Sequence, residues 1–140
     1  MRILLDTNIV LDILLERADF YNDALDMMER AISKGDRMFL SASAATDIFY
    51  IVRKNTKSKE KALQCIKAIS SILTFAEVNE NTLLSATISK IDDYEDAVVD
   101  MVAKSIKADY IITRDTKGFK HSICKVLTPK GYILLQEKAL

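Results

Sequence analysis

Four aspartates in four separate segments carry the most visible chemistry of this chain: Asp6, Asp47, Asp96 and Asp115. Asp6 ends the apolar run Arg2-Ile3-Leu4-Leu5 and is followed by Thr7 and Asn8. Asp47 and Asp96 each lie early in a helical pattern, Asp96 with Asp93 three residues before it and Asp100 one turn beyond. Asp115 follows Tyr110-Ile111-Ile112-Thr113-Arg114. A carboxylate at the end of a strand can hold a metal ion, accept a phosphoryl group or cap the next helix. Singly, each has an ordinary structural account, because acids in a first helical turn complement the helix dipole and Asp115 suits a turn before Thr116-Lys117-Gly118. Together, four like charges delivered to one place repel unless a cation or a shifted protonation relieves them. An all-oxygen donor set suits Mg²⁺ or Mn²⁺, ions that bridge substrate phosphates and stabilise a phosphodiester under attack. His121 is the sole histidine, so a histidine-based triad has little material to work with.

Whether the four acids meet depends on the elements that carry them. The opening apolar run reads as a buried parallel strand, and Thr7 to about Leu15 as a buried helix. Phe20, Ala24, Leu25, Met28, Ala31 and Ile32 keep helical spacing up to a stop at Lys34-Gly35-Asp36. Arg37 to Leu40 is a short strand, with Ser41 and Ser43 as candidate caps for a helix whose apolar face is Ala45, Ile48, Phe49 and Val52. Arg53 to Lys59 reads as a polar connection into a helix carrying Ala62, Leu63, Ile66, Ile69 and Leu73. Phe75 to Val78 forms a brief strand, Leu83 to Ile91 a helix, and Asp92-Asp93-Tyr94-Glu95-Asp96 opens another with Ala97, Val98, Met101, Val102 and Ile106 as its buried stripe. Tyr110 to Thr113 and Lys125 to Leu127 are strands, and Thr128-Pro129 starts the last helix. This alternation predicts a three-layer α/β/α fold with a mainly parallel central sheet of four to five strands. Strand ends and the first turns of the helices after strands share one edge of such a sheet, where ligands bind.

The bulk composition excludes some classes. At 140 residues, with 49% hydrophobic and 29% charged residues, the chain is expected to form one domain spanning residues 1–140. Twenty basic and 20 acidic residues cancel, which argues against a protein that coats nucleic acid by bulk charge. Cys65 and Cys124 lack metal-ligand spacing and are expected to be reduced and mostly buried. The first apolar run is too short for a secretory signal, and no run is long enough to span a bilayer, so a cytoplasmic protein is expected.

On these residues the chain resembles the PIN-domain family, and the resemblance covers essentially the whole sequence. Leu4-Leu5-Asp6-Thr7-Asn8 is similar to the family's opening motif, Asp93-Tyr94-Glu95-Asp96-Ala97 to its central acidic motif, and Ala108 to Asp115 to the strand leading to its last acid. Val126-Leu127-Thr128-Pro129 is similar to its close. The resemblance implies a metal-dependent ribonuclease that leaves a 5′ phosphate and a 3′ hydroxyl. Small members of the VapC type are toxins of type II toxin–antitoxin pairs, which implies an antitoxin partner and a homodimer. Carried over residue by residue, Asp6, Asp47, Asp96 and Asp115 match the acidic positions, with Asn8 and Thr113 as polar supports. Asp6, Asp96 and Asp115 would hold one or two Mg²⁺ or Mn²⁺ ions. Asp47 replaces a frequent Glu, so its shorter reach implies a contact through water, whereas Asp115 replaces a frequent Asn and adds a charge.

Cations must place an RNA backbone beside so acidic a pocket. Arg114, Lys117 and Lys120 adjoin Asp115 and are expected to bind RNA phosphates, ahead of the second basic cluster at Arg53, Lys54, Lys57, Lys59 and Lys61. Phe119 either stacks on a base or anchors its loop, and Tyr21, Met27 and Met28 are candidate contact surface for the dimer. Two rival readings are kept. One is a PIN-like module that binds RNA or protein without cutting. The other is an aspartyl-phosphate phosphotransfer protein, which fits less well because Asn8 stands where a second phosphatase Asp is wanted.

Overall fold

In the computed structural model, which describes residues 1–139, the strands form one five-stranded sheet of order β3-β2-β1-β4-β5. Every neighbouring pair in it is parallel. The strands are β1 (Arg2–Leu5), β2 (Arg37–Ser41), β3 (Thr74–Ala76), β4 (Tyr110–Ile112) and β5 (Lys125–Leu127). The helices are α1 (Thr7–Leu14), α2 (Tyr21–Lys34), α3 (Ala44–Thr56), α4 (Lys59–Ile72), α5 (Glu80–Ala86), α6 (Tyr94–Ser105) and α7 (Pro129–Lys138). The sheet of the expected fold is therefore present, with all five strands parallel.

Alternation along β1 explains the three layers. Ile3 and Leu5 point to one face and join Met38, Leu40 and Ile112 in a core closed by α1, α2, α3, α4 and α7. Leu4 points to the other face and joins Phe39 and Ile111 in a smaller core under α5 and α6. β1 is apolar on both sides because both sides are covered.

Several local expectations need correcting. Arg53 to Lys59 is not a connection: α3 runs on to Thr56, Lys57 turns with φ of 57°, and Ser58 caps α4 by accepting the Lys61 N–H. Arg53 and Lys54 sit in the last turn of α3, where cations oppose the negative end of the dipole, so a polar stretch is compatible with helix. Ser43 precedes α3 but its hydroxyl bonds Ser41 at 2.7 Å rather than capping the helix. Met27 and Met28 lie on the buried side of α2 and cannot serve as dimer surface. Phe119, 2% exposed, anchors its loop under α6 and is unavailable to stack on a base.

Among the described residues no helix is long and apolar enough to cross a membrane.

Candidate active site

β1 lies at the centre of the sheet, and the chain turns back across it to continue at β4. The crevice outside the carboxyl ends of β1 and β4 is therefore the topological switch point, where open parallel sheets bind ligands. A pocket of about 440 Å³ opens there, lined by Asp6, Asn8, Asp47, Asp93, Glu95, Asp96 and Asp115, with Thr7, Leu11, Tyr50 and Ile51 completing its wall. All four aspartates singled out in the sequence face this one cavity.

Asp6 is held from three sides. Its backbone N–H donates to the Ile112 carbonyl at 2.9 Å, continuing the β1–β4 ladder by one residue. Its Oδ1 accepts the Thr7 N–H at 2.8 Å, and its Oδ2 accepts the Thr113 hydroxyl at 2.8 Å. Thr113 is fully buried, and its oxygen in turn accepts the Asp115 N–H at 3.0 Å. One hydroxyl thus fixes the spacing of two acids that are far apart in sequence. Asp115 then turns back on its loop, Oδ1 accepting the Gly118 N–H at 3.0 Å.

Asp96 occupies the first turn of α6. Asp93 caps that helix, its Oδ1 accepting the Asp96 N–H at 3.0 Å, and lines the pocket beside Asp96 as well. Asp100, one turn on, is buried and binds the Ser122 hydroxyl and the Ile123 N–H, which ties α6 to the loop before β5. Asp47 lies on the exposed side of α3 at the opposite wall.

Electrostatics record the convergence. Burial, with repulsion from Asp6, Asp93, Asp115 and Glu95, pushes Asp96 up to about 6. Asp6 is also raised, chiefly by burial and further by Asp115, although its bonds from Thr113 and Thr7 pull the other way. Glu95 is raised by burial and by Asp47, Asp93 and Asp6. Such a pocket favours any cation that neutralises it.

The donor set is all hard oxygen, which fits a divalent cation of the Mg²⁺ or Mn²⁺ class. A Cβ placed on Gly118 would lie 2.7 Å from Asp115 Oδ2 and 3.1 Å from Asp96 Oδ2, so two carboxylate oxygens flank a single point. Among the described residues, no three His, Cys, Asp or Glu side chains already stand gathered as a ligand cage. Gly118, which the sequence does not mark out, packs directly against two of the candidate site carboxylates. The only signal for it was its place in Thr116-Lys117-Gly118, which reads as an ordinary turn.

The cations are distributed differently from expectation. Arg114 does not line the acidic pocket. Its Nε and a terminal nitrogen donate to buried Asp12 at 2.7 and 3.2 Å, and its guanidinium lies 3.8 Å from the centre of the Phe20 ring. Arg17 donates to the same Asp12 and to Asn8. Lys117 and Lys120 are exposed on the loop after Asp115. Lys54, from the lower-ranked cluster, lines a second groove of about 670 Å³ with Leu15, Arg17, Ile51 and Asn55. Ile51 belongs to both cavities.

The PIN-domain family model matches residues 2–117, a span that contains all four aspartates. The chain belongs to the PIN-domain family. This PIN domain is similar in structure to a chain of VapBC2 from Rickettsia felis bound to a DNA fragment from their promoter, at 19% identity and a TM-score of 0.69 over 91% of this chain and 98% of that one. A chain of VapBC-1 from nontypeable Haemophilus influenzae gives 17% identity and a TM-score of 0.69, covering 93% and 99%. A chain of FitAcB from Neisseria gonorrhoeae gives 23% identity and a TM-score of 0.65, covering 91% and 98%. No curated protein sequence matches the PIN domain significantly.

Proposed function

We propose that this PIN domain is a Mg²⁺- or Mn²⁺-dependent endoribonuclease. The observation that carries the reading is the common orientation of Asp6, Asp96 and Asp115 toward one pocket at the switch point of the sheet. These three would hold the ion, with Asp47 across the pocket acting through water. A bound ion would supply positive charge at the scissile phosphate and lower the pKa of a water. Thr113 keeps Asp6 and Asp115 in register, and Asp93 orients the first turn of α6 that presents Asp96. Water adds to phosphorus, the P–O3′ bond breaks, and the products carry a 5′ phosphate and a 3′ hydroxyl. Lys117 and Lys120 contact flanking phosphates, while Arg114 serves the pocket through its ion pair with Asp12.

The test is cleavage of RNA by the purified chain with and without divalent cation, beside Asp6→Asn and Asp96→Asn. Cleavage that needs Mg²⁺ or Mn²⁺ and falls by at least about 100-fold in both variants supports the reading. Equal turnover in all three proteins removes the acidic pocket from the chemistry, and metal-replete protein that cuts nothing is the outcome for a binding module.

The structural similarity to chains of VapBC2, VapBC-1 and FitAcB supports a narrower reading, a cytoplasmic toxin neutralised by a small antitoxin protein. Expression of the chain alone should arrest growth, and co-expression of a small neighbouring open reading frame should relieve it. The chain is read as one domain that forms a homodimer, which light scattering tests directly.

A further inference from the structure

Asp47, Tyr50 and Ile51 stand at positions i, i+3 and i+4 of α3 and therefore share one face of the helix, toward the acidic pocket. Ala44, Ile48 and Val52 form the adjoining buried stripe of the helix. Tyr50 is 65% exposed, yet its ring is braced: it meets Phe49 edge to face, centroids 5.3 Å apart at 76°. The other two large exposed aromatics among the described residues already have work in the fold. Phe20 lies under the Arg114 guanidinium, and Tyr94 donates its hydroxyl to the Leu83 carbonyl at 2.8 Å. Tyr50 alone presents an uncovered ring at the rim of the carboxylates.

The cavities give that ring a direction. The acidic pocket ends at Tyr50 and Ile51, and the neighbouring groove begins at Ile51 and carries Arg17 and Lys54. A strand lying along α3 thus meets, in order, the site of phosphate chemistry, an aromatic ring and then cations. A bare carboxylate cluster repels a polyanion, so affinity must come from uncharged contacts beside the acids and from cations beyond them. An aromatic face supplies the first and binds a base without regard to sequence, provided the base is unstacked.

We propose that Tyr50 is the stacking platform for one unpaired nucleobase next to the scissile phosphate, on a single strand whose backbone continues past Ile51 toward Arg17 and Lys54. This rests on the nuclease reading above and assigns its base contact to the exposed side of α3.

The experiment measures binding apart from cutting. Labelled single-stranded RNA is titrated by fluorescence anisotropy against the full chain in an Asp96→Asn background with Mg²⁺, with Tyr50 intact, Tyr50→Phe and Tyr50→Ala. Because Tyr50 is exposed, circular dichroism melting should show all three equally folded. Tyr50→Ala should weaken binding at least about 5-fold, the low end for one base–aromatic stack, and Tyr50→Phe should keep it. An abasic scan of the RNA should find one position at which loss of the base and loss of the ring cost no more together than either alone. Lys54→Ala should weaken binding of the same RNA and flatten its salt dependence. Unchanged affinity in Tyr50→Ala, or an equal loss at every abasic position, overturns the proposal. Metal-dependent cleavage by the unmodified chain separates the two readings: if it cuts while Tyr50→Ala cuts with unchanged KM, the platform is wrong and the nuclease stands.

Discussion

Arg114 and Asp12 form a two-pronged ion pair, Nε to Oδ2 at 2.7 Å and a terminal nitrogen to Oδ1 at 3.2 Å, with the carboxylate fully buried. The pair joins α1 to the segment that carries Asp115. Removing the arginine leaves Asp12 buried with only Arg17 opposite it. Arg114→Ala should therefore lose about 2–4 kcal/mol, below the full cost of breaking a buried pair because the arginine side is partly exposed. Urea unfolding with an unchanged slope measures it. A loss under about 0.5 kcal/mol would show that the pair is dispensable.

Thr113 offers a sharper probe of the pocket. Thr113→Val keeps the shape but removes the hydroxyl that donates to Asp6 and accepts from Asp115. A hydrogen bond to a charged group contributes about 1.5–3 kcal/mol, so the variant should unfold more easily by that amount. Its Mn²⁺ affinity, read by calorimetry, should fall with it. Thr113→Ser should restore both, and a Val variant that binds Mn²⁺ as well as the parent contradicts the bridging role.

Gly118 leaves no room for a side chain. The methyl of Gly118→Ala would sit 2.7 Å from Asp115 Oδ2, so that carboxylate must swing away. We expect a nearly normal melting temperature with at least about a 10-fold loss of both metal affinity and cleavage. Full activity in the variant would place Asp115 outside the metal site.

Asp96 makes the stability of the metal-free protein depend on pH. Its folded pKa, about 6, lies above the ordinary aspartate value, so the folded state binds the proton more tightly than the unfolded one. Its contribution is most favourable below about pH 4 and is lost as pH rises to about 6. Asp96→Asn should accordingly be more stable than the parent at pH 7, with the gap closing toward pH 4. Adding Mg²⁺ at pH 7 should raise the parent's melting temperature more than the variant's, because an ion that binds only the folded state stabilises it. A pH-independent difference between the two proteins would refute this account.

The sheet and the acids were readable because each leaves a local mark. Two-faced apolar strands announce a covered parallel sheet, and Asp6, Asp96 and Asp115 sit at positions that such a sheet brings to one edge. What the sequence hid depends on partners far along the chain. Arg114 reads as a free cation until Asp12, in the middle of an apolar helix, is found underneath it. Gly118 reads as a turn until two carboxylates are found against it. Met27 and Met28 are candidates for dimer surface only by analogy with the family, yet α7 and the sheet cover that side. Tyr50 escaped notice because the apolar pattern of α3 pointed to Phe49 and Val52, and an exposed ring has no periodicity to betray it.

The bond from Thr113 to Asp6 spans 107 positions of the chain. On a ribosome, β1, β2 and β3 are made first, and β1 acquires its neighbour β4 only after the chain has been extended past Ile112. Such a long-range pairing forms late, since the loop between its ends must close first. A nascent chain therefore carries Asp6 and Asp47 without Asp115 or the hydroxyl that positions it. The order of synthesis itself delays assembly of the acidic pocket until β4 and the loop that carries Asp115 have been made.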